Sequence, residues 1–78
     1  MKPVQVTARF DPDGKATPLS FTWLGQTYPV NAIGRRWSDE EGQHILVMVP
    51  GEQVFELIFA PADARWYLRQ PGKNQMVA

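Results

Sequence analysis

The sequence predicts an all-β fold, a small antiparallel meander of about five or six strands. Three observations predict it. Apolar and polar residues alternate at period two through most of the chain. Turn-forming residues interrupt that alternation roughly every ten residues. No stretch sustains helical spacing. Ser38 to Gly42, SDEEG, has a capping pattern, but it leads into a β-branched run that soon meets Pro50-Gly51.

Met1 to Phe10 is the first predicted strand. Val4, Val6, Ala8 and Phe10 fall on one face, and Gln5, Thr7 and Arg9 on the other. Asp11-Pro12-Asp13-Gly14 ends it, because proline presets one turn dihedral and glycine accepts positive φ. Leu19 to Leu24 is the second strand, and Gly25 marks the following turn. Gln26 to Trp37 reads as one long third strand. Tyr28 and Val30 share a parity that Ile33 and Trp37 do not, which predicts a β-bulge near Asn31-Ala32 or at Gly34. Such a bend lets a small sheet curl over.

Gln43 to Val49 is the fourth strand, apolar on both faces: Ile45, Val47 and Val49 on one, Leu46 and Met48 beside His44 on the other. Pro50-Gly51-Glu52 turns into Gln53 to Ala60, with Phe55, Leu57 and Phe59 inward. Pro61-Ala62-Asp63 turns into Ala64 to Gln70, with Trp66 and Leu68 inward. The expected product is a sheet curled or closed into an SH3-like barrel, since closure removes exposed edges. Its expected core is Val6, Phe21, Trp23, Ile33, Val47, Phe55, Leu57, Trp66 and Leu68. Residues 1–70 form one domain and 71–78 a flexible tail.

Composition limits the function classes. The chain has 78 residues, so it holds one domain and buries only ~60% of its unfolded surface. It has no cysteine and one histidine, which excludes disulfides and thiolate zinc sites. Stability must come from packing, chiefly of three tryptophans, two tyrosines and four phenylalanines. No apolar run is long enough to span a membrane, and no signal peptide is evident, so a soluble cytoplasmic protein is expected. No cofactor and no metal is expected.

Eight basic and eight acidic side chains cancel. They are segregated, however: residues 38–64 hold six acids and no base, and residues 65–78 hold only bases. The two serines, Ser20 and Ser38, do not sit on a nucleophile elbow, and Asp39-Glu40-Glu41 lie in a polar turn expected to be solvated. A non-enzymatic protein is therefore expected.

Two surfaces are candidates for binding. One is basic and aromatic: Arg35, Arg36 and Trp37, with Arg65, Tyr67 and Arg69 in a row on the sixth strand. Arginines beside stacking aromatics are how small β-barrels hold single-stranded nucleic acid, here weakly. Equally, Arg65 and Arg69 can pair with Glu52 or Glu56 on the neighbouring strand. The other surface is apolar: Leu46, Met48, Val54 and Ile58, on the second face of the fourth and fifth strands. If exposed, it marks a protein partner or self-association.

The pattern Phe21-x-Trp23-x-Gly25-x-x-Tyr28-x-Val30-x-x-Ile33-x-x-x-Trp37, continued by Phe55-Glu56-Leu57 and Trp66-x-Leu68, resembles a family of short bacterial domains of unknown function. It is also similar to the β segment that ends ImuB-like proteins, catalytically inactive relatives of translesion DNA polymerases. That segment ends in Trp-Leu-His-Gly, where this chain reads Trp66-Tyr67-Leu68-Arg69. The resemblance covers Leu19 to Arg69 and rests on core aromatics and turn glycines. It implies an accessory or protein-interaction module, linked to DNA repair, with no catalytic residues.

Overall fold

The computed structural model describes residues 2–70; the tail expected over 71–78 lies outside the described residues. Seven strands form one curled antiparallel sheet, a half-barrel: β1 (Pro3–Phe10), β2 (Ala16–Trp23), β3 (Gln26–Pro29), β4 (Ala32–Asp39), β5 (Gly42–Val49), β6 (Gln53–Ala60) and β7 (Arg65–Arg69). The spatial order is β3-β2-β1-β7-β6-β5-β4. The all-β curled meander is as expected. The strand count is higher because the long third strand is two.

The division falls at Val30-Asn31. Val30 N–H donates to Leu19 O (3.0 Å), whereas Asn31 N–H donates to Met48 O (2.7 Å). Consecutive residues thus serve β2 and β5, on opposite walls. Pro29, which has no N–H to donate, ends the first piece. The expected bulge is also present, at Gly34. Ile33 lies opposite Val47 and Arg36 opposite Ile45, so Gly34 and Arg35 together face Leu46. Ile33 therefore packs on the core while Trp37 turns outward, opposite His44. Period-two counting alone had put them on one face.

The concave side carries the core. Phe21, Val47, Phe55, Leu57 and Trp66 are buried there as expected, joined by Ala16, Ile45 and Val49. Val6, Trp23, Ile33 and Leu68 are only partly buried and pack against that cluster. The rings of Phe21, Trp23 and Tyr28 surround Phe55 at centroid distances of 5.4, 5.3 and 5.7 Å. That cluster joins the β2–β3 wall to β6. At the β2–β3 turn, Leu24 and Gly25 both take positive φ, the geometry a two-residue hairpin needs.

Side chains draw the open seam together. The Gln43 amide donates to Gly14 O (3.0 Å) and accepts from Ala16 N–H (3.2 Å), as a peptide group of a neighbouring strand would. Arg36 donates to Ala16 O (2.7 Å) and to Thr17 Oγ1 (3.1 Å). The start of β2 is thereby fastened to β4 and β5 without a backbone ladder. Among the described residues no helix is long and apolar enough to cross a membrane.

Candidate functional site

The convex face of β4 to β7 is built by register. Trp37, His44, Ile58 and Tyr67 form one row across the four strands. Leu46, Glu56 and Arg69 form the next, and Met48 faces Val54 in a third. At the centre is His44, 1% exposed. The Trp37 indole stacks on its imidazole (centroids 4.9 Å, planes 11° apart), and the Arg35 guanidinium lies over that indole at 5.2 Å.

Both ring nitrogens of His44 meet carboxylates. Nδ1 is 2.6 Å from Glu56 Oε2, and Nε2 is 2.7 Å from Asp39 Oδ1 and 3.6 Å from Glu41 Oε1. Arg69 closes the ring, 3.4 Å from Glu56 Oε2 and 3.5 Å from Glu41 Oε1. A neutral imidazole has one N–H, so one nitrogen lone pair would face a carboxylate lone pair. The imidazolium donates on both sides. Accordingly burial, which by itself would lower the His44 pKa, is outweighed by its hydrogen bonds to Glu56 and Asp39, and the pKa is raised above the ordinary 6.5. The same bond from His44 holds the Asp39 carboxyl below its ordinary 3.8.

The pH dependence follows from those directions. The His44 contribution to stability is fully present below its unfolded pKa and is lost as pH rises through the raised folded value. The Asp39 contribution is present above its unfolded pKa and is lost as pH falls through the lowered one. In chelator-containing buffer, urea midpoints are expected to be highest between about pH 4 and pH 6.5 and to fall on the alkaline side. His44→Gln should flatten that alkaline fall. An unchanged slope in the variant would remove the imidazolium from the account.

The structure redistributes the candidate residues. Arg36 leaves the basic surface, because its guanidinium reaches inward to Ala16 and Thr17. Arg35, Trp37, Arg65, Tyr67 and Arg69 do share the convex face by register. Two strands separate the β4 group from the β7 group, so they stand roughly 14 Å apart at ~4.8 Å per strand. Arg69 pairs with Glu56, as the alternative reading held, and with Glu41 as well. Tyr67 donates to Asp63 Oδ2 (2.8 Å), a bond that raises the phenol's pKa.

On the apolar surface, Leu46, Met48 and Val54 are half-buried, but Ile58 is 1% exposed and leaves the patch. By register it is flanked by His44 and Tyr67. His44, on the same face by alternation, is enclosed. The sequence held one usable signal: Glu56 is a lone charge in the apolar strand Val54 to Phe59, and such a charge needs a partner.

A second feature lies on the seam. An open groove of ≈ 460 Å³ runs between the turn Asp13–Lys15 and the β4 residues Arg36–Ser38, floored by β5. No family model, no curated protein and no solved structure matches the chain.

Proposed function

We propose that this chain is a non-enzymatic protein-interaction or accessory module that engages an extended apolar segment of another protein on the convex face of β4 to β6. The observation that carries this reading is the strip of Leu46, Met48 and Val54. These half-buried apolar side chains are contiguous by register, with Leu46 and Met48 on the strand next to the edge strand β4 and Val54 one strand further in. An edge strand with adjacent apolar side chains suits an added extended segment. The Arg35 guanidinium at the margin of the strip favours a partner carrying an acidic residue there. The non-enzymatic reading draws support from His44. Both its nitrogens are engaged by carboxylates, so neither is open to a substrate. The link to DNA repair rests on the resemblance of Leu19 to Arg69 to ImuB-like segments and on nothing else.

The alternative is weak binding of single-stranded nucleic acid by the basic-aromatic face. It has fewer groups to work with, because Arg36 and Arg69 have internal partners and one face of Trp37 is covered by His44.

Selection from a displayed library of random extended peptides, followed by backbone amide NMR mapping, tests the first reading. Selected peptides should be apolar with an acidic residue. They should shift Leu46, Met48 and Val54, and binding should fall at least ~10-fold in Met48→Glu. Failure to select peptides, or shifts that map elsewhere, would overturn it. Sedimentation of the free protein separates self-association as an outcome. An oligothymidylate titration at low salt is expected to stay flat; a saturable response would favour the alternative.

A further inference from the structure

We propose that Asp39, Glu41 and His44 form a binding site for a divalent transition-metal ion, zinc-like in its preference for imidazole with carboxylate oxygens. Asp39 ends β4 and Glu41 stands on the turn that follows, and their oxygens with the His44 ring nitrogen lie within 4.8 Å of one another. An ion bound at about 2.0–2.2 Å in a tetrahedral site separates its ligand atoms by about 3.3 Å. The separations from Nε2, 2.7 Å to Asp39 and 3.6 Å to Glu41, bracket that spacing. Both carboxylate side chains are nearly half exposed, so small adjustments meet little resistance.

A separate observation points to a ligand at Nε2. Glu56 belongs to another strand, is itself buried, and accepts a hydrogen bond from Nδ1–H at 2.6 Å. A carboxylate on the far nitrogen is how proteins orient and enrich a metal-binding imidazole. Arg69 fixes that carboxylate, and Trp37 fixes the ring plane. The imidazole is therefore buried, held in one orientation, and aimed by Nε2 between two carboxylates. Solvated turn acids alone would not require such support.

Charge points the same way. With neutral His44, three carboxylates and Arg69 leave two uncompensated negative charges. One proton on Nε2 removes half of that, and a divalent ion removes all of it. Proton and metal thus compete for one nitrogen. Binding displaces the Nε2 proton to solvent while Nδ1–H stays with Glu56.

The test is calorimetric titration of the tag-free, chelator-washed chain with zinc chloride in two buffers of different ionisation enthalpy. One ion should bind per chain, with up to one proton released. Histidine side-chain NMR should show Nε2 shifted by zinc and Nδ1 still protonated. The double substitution Asp39→Asn/Glu41→Gln changes only exposed groups, so it should keep the native circular dichroism. It should weaken binding at least ~10-fold. No saturable binding up to ~1 mM zinc would overturn the proposal. So would undiminished affinity in the folded double variant, or a shift at Nδ1 instead.

Discussion

Phe55→Ala should lower the stability of the domain by ~3–5 kcal/mol, a large share of what a domain of this size holds. The side chain is 2% exposed, and three aromatic rings lie edge-on or tilted against it. Removing it deletes buried apolar surface and leaves a cavity that the strand backbones on either side cannot collapse to fill. The total available is small. At roughly 0.05–0.15 kcal/mol per residue, a domain of this size holds about 4–12 kcal/mol. Phe55 also joins two walls: β6 carries it, while Phe21, Trp23 and Tyr28 come from β2 and β3. Urea unfolding followed by tryptophan fluorescence measures the loss. Phe55→Leu, which keeps most of the volume, should cost about 1–1.5 kcal/mol. A loss under ~1 kcal/mol for the alanine variant would mean that the walls are held together elsewhere.

Gly42→Ala is the second large effect, expected at ~3 kcal/mol or more. Gly42 opens β5 at φ +139°, a region that L side chains occupy only under strain of ~1–3 kcal/mol. An added Cβ would also lie 2.0 Å from Phe59 O and 2.9 Å from Phe59 C. Those are backbone atoms of β6, engaged in the sheet on both sides, so they have nowhere to move. The turn would have to lift, and Asp39 and Glu41 would lift with it. Gly51→Ala supplies the internal comparison. Its φ of +88° is also unfavourable, but nothing lies within 4 Å of the added carbon. Only the conformational cost of about 1–2 kcal/mol should then appear. Equal losses in the two variants would show that the contact with Phe59 is relieved by other means.

Much of this architecture was legible in the residues. Period-two alternation located the strands, put Phe21, Phe55, Leu57 and Trp66 inside, and placed His44 on the face opposite Val47. The parity break near Gly34 announced the bulge. What alternation could not supply was partnership. Nothing in Gln26–Trp37 says that its first part pairs with β2 and its second with β5, because the deciding bonds run to Leu19 and Met48, far away in sequence. The same limit applies to the site. Being on the outer face is local information. Being buried there depends on Trp37, Glu41, Glu56 and Arg69 meeting over one ring, and they come from three strands and a turn. Arg36 illustrates the reverse case. A base beside a tryptophan looks like a ligand contact until Ala16 O is found within its reach.

The strand order has a consequence for how the chain folds. Every ladder but one joins strands adjacent in sequence: β1 with β2, β2 with β3, β4 with β5, β5 with β6, β6 with β7. The exception is β1 with β7, which rests on Pro3 opposite Tyr67 and Val4 opposite Trp66. Two meanders can therefore zip up from their own hairpins on the microsecond scale of such elements. Their union brings the two ends of the described chain together through only two ladder pairs, the least local pairing in the sheet. The Phe21, Trp23 and Tyr28 contacts with Phe55 are likewise non-local, so the folding rate is expected to depend on them more than on any hairpin contact.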